Sequence, residues 1–314
     1  MIKQWFEFAG HGGAILPAVI WLPEQEVQAV LQITHGMTEH MGRYETFASA
    51  LCAQGIAVAG FDLRGHGKNS GNAEVASFGE GGWRASMEDM HLFFEELRQR
   101  FPEMPHFMMG FSLGSFLLRE YLGMYPEGVA GAIIAGTGHQ PGWLLSIMMA
   151  IVKGEMKKAG MDGTTDLVRQ LSFGTYNQKF KPNRTTADWL CSDEKELDLY
   201  LTDPLVRKDI SAGLFWELLR SMKRTGTVES YAGWNKEMPV FLLYGADDPV
   251  GDSGKGVPRL YNLMKKAGVQ AKTGLQTVVC QQFPDARHDI FHEEANGTAE
   301  TLRHCIADWL EGLV

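Results

Sequence analysis

From residue 14 onward, short apolar runs alternate with longer stretches in which apolar positions recur every three or four residues. The runs AILPAVIWL (14–22), VQAVLQIT (27–34), IAVAGFDL (56–63), HFMMG (106–110), VAGAIIAG (129–136), PVFLLYG (239–245) and LQTVVCQQF (275–283) predict strands. The stretches between them predict helices over 44–54, 113–125, about 80–100, about 255–267 and about 297–313. The helix near 80–100 carries Met87, Met90, Leu92, Phe93, Phe94 and Leu97 at near-helical spacing. Strands that are almost wholly apolar are buried on both faces, as parallel strands are. Strand and helix in alternation therefore imply an α/β fold, a parallel sheet wrapped by helices.

One stretch breaks the alternation. Residues 138 to 235 contain no clear strand run and read as helical, with Trp143, Met148, Met149, Met156, Phe173, Phe180, Trp189, Phe215 and Trp216 spread along them. This divides the chain into a sheet-bearing core, 1–137 with 236–314, and a helical insertion, 138–235, placed between two strands. No internal repeat or low-complexity linker interrupts either part.

Composition narrows the function classes. The chain has 314 residues, 45% hydrophobic and 21% charged, an ordinary globular make-up. A net charge of −9 argues against a nucleic-acid partner. The opening MIKQWFEFAG lacks the apolar core of a secretory leader. The longest apolar stretch, WLLSIMMAIV (143–152), falls short of the roughly 20 residues a bilayer span requires. Cys52, Cys191, Cys280 and Cys305 show neither a C-x-x-C pair nor metal spacing. Reduced thiols in a cytoplasmic protein are the expectation.

The chemistry starts at Gly110-Phe111-Ser112-Leu113-Gly114. The run before Ser112 is a strand and the run after it a helix, so the serine sits on a turn with no residues to spare. Backbone must pass so close that positions 110 and 114 tolerate almost no side chain, and the hydroxyl is held out at a helix N-terminus. A serine hydroxyl needs a base within reach and a third group to orient that base. Both should come from loops at the C-terminal ends of later strands. GADDPVGD follows the strand at 239–245 and offers Asp247 or Asp248. PDARHDIFHEE follows the last strand and offers His288 or His292. The oxyanion of acyl transfer needs backbone donors already in place. The N–H of Leu113 is one, and the loop HGMTEH after the strand at 27–34 is the place for the other.

Four stretches, in order along the chain, resemble the α/β-hydrolases of the monoacylglycerol lipase and lysophospholipase group, related to the serine aminopeptidase-like hydrolases. They are HGMTEHMGRY (35–44), FDLRGHGKNSG (61–71), GFSLGS (110–115), and the pair GADDPV with ARHDIF. The resemblance implies a mostly parallel eight-stranded sheet flanked by helices, with the insertion as a helical cap. It implies Ser112, Asp248 and His288 as the catalytic set, the N–H groups of Met37 and Leu113 as the oxyanion hole, and Gly110 and Gly114 as the elbow glycines. His35, Asp62, Arg64 and His66 read as bracing for nearby loops. His35 and His40 lack a carboxylate or cysteine at supporting spacing, so neither a metal nor a cofactor is expected. The chain departs from the family pattern at Phe111 and Leu113, where histidine and methionine are common, and at Asn69, where serine often stands.

The implied activity is hydrolysis of carboxylic esters through an acyl-enzyme, on monoacylglycerol or lysophospholipid type substrates. A short-chain carboxylesterase, an aminopeptidase-like amidase and a ligand-binding protein with little turnover are the alternatives, and hydrolysis is not separable here from acyl transfer. A substrate's amino terminus has no obvious acidic site, although Glu155, Asp162, Asp166 and Asp188 lie in the insertion. The expected partner is a small-molecule ester or lipid, with transient contact to lipid surfaces through WLLSIMMAIV. The sequence does not specify an oligomeric state.

Overall fold

The structure is a computed structural model that describes residues 1–71, 73–269 and 278–314. Among the described residues the strands are β1 (Ile2–Ala9), β2 (Ile15–Leu22), β3 (Ala29–Thr34), β4 (Ile56–Phe61), β5 (Val75–Ala76), β6 (His106–Phe111), β7 (Gly131–Ala135), β8 (Asp209–Ile210), β9 (Val240–Gly245) and β10 (Val278–Phe283). Eight of them form one sheet in the order β1-β2-β4-β3-β6-β7-β9-β10. β1 with β2 and β2 with β4 are antiparallel, and every pair from β4 to β10 is parallel. All residues of β3, β4, β6, β7 and β9 are buried. That burial accounts for their unbroken apolar runs.

The apolar pattern finds the parallel strands within two or three residues and misses β1. The sequence IKQWFEFA mixes charged and polar with aromatic residues on an edge strand, and only Phe8 is buried. The strand expected at 275–283 is present from Val278, and residues 275–277 lie outside the described ones. β5 and β8 pair with each other outside the main sheet. At two residues each they are too short to carry a periodic signal.

Alternate side chains along the strands enter two cores. On one face α1 (Glu45–Cys52) and α9 (Thr298–Glu311) pack through Phe47, Leu51, Leu302 and Ile306. On the other, α2 (Gly82–Arg100), α3 (Leu113–Met124) and α8 (Gly256–Lys266) pack through Phe93, Phe116, Leu117 and Leu260. The second core continues into the segment between β7 and β9. That segment holds α4 (Gly142–Ala159), α5 (Asp166–Arg169), a π-helical turn (Gln170–Gly174), α6 (Glu194–Thr202) and α7 (Ala212–Arg224). Leu145 and Val152 of α4 and Phe215 and Leu218 of α7 belong to that core. Burying each such side chain is worth about 1.5–3 kcal/mol, so these helices are seated on the sheet-bearing part rather than tethered to it. The stretch WLLSIMMAIV divides accordingly, with Leu145 and Val152 inside and Trp143, Ile147 and Ile151 exposed.

Strand order reverses between β3 and β6, and ligands bind outside the C-terminal ends of strands at such a point. Thr34 pairs with Gly110, so the loop after β3 lies beside the turn after β6. Gly245 pairs with Phe283, so the loops after β9 and β10 are neighbours too.

Candidate active site

Ser112 occupies the turn between β6 and α3 with φ 49° and ψ −116°, outside the regions that L residues favour. The glycines flanking it are sterically required. A Cβ on Gly110 would lie 2.4 Å from the Gly114 carbonyl oxygen, and one on Gly114 would lie 2.0 Å from that of Thr34. The Ser112 N–H donates to Ala135 O at 3.0 Å, and Ser115 Oγ donates to Ser112 O at 2.6 Å. The strained conformation is thus held on both sides.

The imidazole of His288 reaches the hydroxyl, with Nε2 and Ser112 Oγ 2.9 Å apart. On its other side Nδ1 is 2.9 Å from Asp248 Oδ1. With Nδ1–H facing the carboxylate, Nε2 is left to accept the Ser112 proton. Asp248 is itself fixed by the Val250 N–H, which donates to Oδ1 at 2.8 Å. Burial pulls the His288 pKa down. The charge and hydrogen bond of Asp248, with Asp289 and Glu39 beyond, outweigh burial and raise it above its ordinary value.

The alternatives left open by spacing lie elsewhere. Asp247 is part-exposed and pairs with Lys179 at 2.6 Å. His292 sits in a turn before α9, with Nδ1 2.9 Å from Asp289 Oδ1 and Nε2 3.1 Å from Arg43 O.

Met37 and Leu113 both line the cavity that holds Ser112 and His288. Neither backbone N–H is taken up by another group among the described residues, so both are available to an oxyanion. The loop carrying Met37 is braced by His35. Its Nδ1–H donates to Gly36 O at 2.8 Å, and its Nε2 accepts from the Leu63 N–H at 3.0 Å. Burial drives its pKa well down, which keeps the ring neutral and able to accept. Asp62 anchors the same region by accepting from the N–H groups of Met41 and Lys68, both at 2.8 Å. Arg64 is paired with buried Asp89 at 2.6 Å. His66 Nδ1 lies 2.8 Å from Arg64 O. His40 is engaged by Asp203 at 2.8 Å.

The cavity measures about 220 Å³. Phe111, Phe116, Leu144, Met148, Leu219 and Met222 give it apolar walls, and Glu39, Arg43 and Asp289 line a polar portion. Spacing alone did not reveal this polar cluster. Arg43 bridges Asp289 at 2.8 Å and Glu39 at 3.4 Å, and Glu39 also accepts from the Gly36 N–H at 2.6 Å. Burial raises the Glu39 pKa, with Arg43 opposing it. Burial also acts on Asp289, yet His292 and Arg43 hold its pKa well below the carboxylate range. The Glu39–Arg43 spacing of four residues was the one visible signal of this network. Trp189, against the His288 ring at 5.3 Å, had none.

The sheet order, the elbow and the loops that meet above it define an α/β-hydrolase. The profile of the serine aminopeptidase (S33) family matches residues 25–295, and the chain belongs to that family. It is 26% identical to the human monoglyceride lipase over 285 residues, covering 87% of this chain and 83% of that one. A monoacylglycerol lipase of Mycolicibacterium smegmatis is 29% identical over 136 residues, 41% of this chain and 45% of that one. The crystal structure of a thermostable carboxyl esterase from Bacillus coagulans in complex with glycerol superposes over 100% of both chains, with a TM-score of 0.86 and 22% identity. The chain is a carboxylic ester hydrolase.

Proposed function

We propose that the chain is a serine hydrolase that cleaves lipid esters of the monoacylglycerol or lysophospholipid type through an acyl-enzyme. One observation carries the reading: a serine oxygen 2.9 Å from a buried imidazole that is itself 2.9 Å from a buried carboxylate, all opening on an apolar-walled cavity. His288 takes the proton of Ser112 as the oxygen attacks the ester carbonyl. Asp248 orients the imidazole and stabilises its cation. The N–H groups of Met37 and Leu113 receive the oxyanion. His288 then protonates the leaving alcohol and activates water to release the acid. Residues 138–235 act as the cap, and their apolar side chains take the acyl chain.

The polar portion of the cavity favours an ester over an aminopeptidase substrate. The two carboxylates that line it, Glu39 and Asp289, are both already paired with Arg43. The other acids considered are engaged elsewhere: Glu155 with Lys158, Asp162 with Ser77, Asp166 with Arg169, and Asp188 with Thr185. Among the described residues no helix is long and apolar enough to cross a membrane. The four unpaired cysteines support a reducing, cytoplasmic setting for the proposed enzyme.

A fluorophosphonate probe tests the nucleophile: it should label the wild type and leave Ser112→Ala unlabelled. A series of p-nitrophenyl esters and monoacylglycerols compared by kcat/KM tests the substrate. Values that climb with acyl length are expected, and a collapse beyond about four carbons removes the lipid reading while leaving an esterase.

A further inference from the structure

One stretch of the segment between β7 and β9, residues 188–207, is fastened to two separate parts of the site. At its start it runs along the histidine loop. The Asp289 N–H donates to Leu190 O at 2.7 Å and the His288 N–H to Trp189 O at 3.4 Å. Arg287 donates to the Asp188 and Cys191 carbonyls. Glu293 accepts from the N–H groups of both Ser192 and Arg287, at 3.0 and 2.9 Å. At its end the stretch grips the loop that carries Met37. Tyr200 Oη lies 2.8 Å from Thr38 Oγ1, and the Arg207 N–H donates to Thr38 O at 2.8 Å. The His40 ring accepts from the Gly42 N–H through Nδ1, so its Nε2–H donates to Asp203, at 2.8 Å. The Arg43 guanidinium lies over the Tyr200 ring at 4.7 Å. Thr38 is held there at φ 69°, a region that a β-branched residue rarely occupies.

The two attachments are joined by α6, which carries Tyr200 in its last turn and is capped at its N-terminus by Asp193, which accepts from the N–H groups of Lys195 and Glu196. A helix is a stiff spacer. The stretch therefore ties the position of the Met37 N–H to that of His288. We propose that Asp188–Arg207 is a positioning frame for the reaction, with Tyr200 and Asp203 as positioning residues, and not only a cover over the substrate. This rests on the assignment of His288 as base and of the Met37 N–H as an oxyanion donor. An oxyanion donor works only when it is pre-set at the place where charge develops, and misplacement by about 1 Å costs up to about a hundredfold in rate.

A cover and a frame fail differently. The double variant Tyr200→Phe/Asp203→Asn removes a hydroxyl and a charge with little change of shape. It is assayed on p-nitrophenyl acetate, which does not need the acyl cavity, and on p-nitrophenyl decanoate. A frame predicts a fall in kcat of about tenfold on both esters with KM little changed. It also predicts a parallel weakening of affinity for a trifluoromethyl ketone, which mimics the tetrahedral intermediate. Normal kcat on the acetate, with KM raised on the decanoate alone, overturns the frame. Circular dichroism establishes that the variant is folded, and should it not be, the single Tyr200→Phe variant is read in the same way. Ser112→Ala separates the two levels: activity surviving in it overturns the assignment itself. Activity lost in it but intact in the double variant overturns the frame alone.

Discussion

The elbow around Ser112 and the stretch 188–207 both position reacting groups, and they do so by opposite means. The elbow is largely local. Gly110 is required by the Gly114 carbonyl oxygen four residues on, 2.4 Å from its would-be Cβ, and Gly114 by the Thr34 carbonyl oxygen of the adjoining strand β3, 2.0 Å from its own. The stretch 188–207 is long-range. Its grip consists of side chains and carbonyls that meet partners about 100 to 160 residues away in the chain, such as Asp203 with His40 and Arg287 with Cys191. A device of the first kind is stiff and intolerant of any added atom. A device of the second kind is assembled only when the whole domain folds, and it is adjusted by single polar contacts. The proposed nucleophile is thus fixed chiefly by its neighbours in the chain, while the proposed base and oxyanion loop depend on tertiary contacts.

Substitutions at the two regions sharpen that contrast. Ser112→Ala removes the proposed nucleophile and should lower kcat by about 10⁶-fold, with the thermal midpoint near that of the wild type. A residual rate far above this would show that another group attacks. Asp248→Asn should cost about 10⁴-fold in kcat, or about 5.5 kcal/mol, by leaving His288 without its orienting anion. Gly114→Ala should lose more than about 3 kcal/mol in a urea melt, because the added carbon meets the carbonyl oxygens of Thr34, at the packed end of β3, and of His35 just after it. Full stability in that variant would mean that the turn is more adaptable than its local geometry implies. At the other extreme stands the outer face of α4, where Trp143 is 68% exposed. Trp143→Ser should shift the unfolding free energy by no more than about 0.5 kcal/mol.

The pH dependence probes the long-range half. His288 must be neutral to act as base, and its pKa is raised above its ordinary value of 6.5. Accordingly kcat/KM should rise with pH through an inflection above about 6.5. In Asp248→Asn the raising charge is gone and burial acts with less opposition, so the residual activity should show its inflection at lower pH. Stability runs the other way. A group whose pKa is raised by folding contributes its full stabilisation below the unfolded value and loses it as pH climbs through the folded one. The His288 contribution should therefore be greatest in the acid limb, where the enzyme is least active. An inflection that Asp248→Asn leaves in place would assign it to another group.

Apolar runs and the Gly-x-Ser-x-Gly spacing were enough to locate the parallel strands, the helices between them and the serine-bearing turn. These features arise from interactions within a few residues, or from the burial of a strand on both faces, and both leave a mark on consecutive positions. β1 escaped because an edge strand needs to bury little, and β5 and β8 because two residues carry no period. Motif order brought Asp248 and His288 into consideration, yet adjacent residues offered the same chemistry. The family motifs pointed to Asp248 and His288, and the pairing of Asp247 with Lys179 and of His292 with Asp289 is consistent with that choice. Asp289, Trp189, Tyr200 and Asp203 owe their partners to distant parts of the chain. A contact between residues far apart costs chain entropy that only the assembled core offsets, so it leaves no trace in the spacing of either partner. The sequence by itself determined that a hydroxyl would stand on a cramped bend above a parallel sheet, because steric exclusion there is local. Tertiary structure supplied the distances at which the imidazole, carboxylate and backbone donors named by the motifs surround it, because those groups meet only once the sheet has closed and the helices between β7 and β9 have settled on its edge.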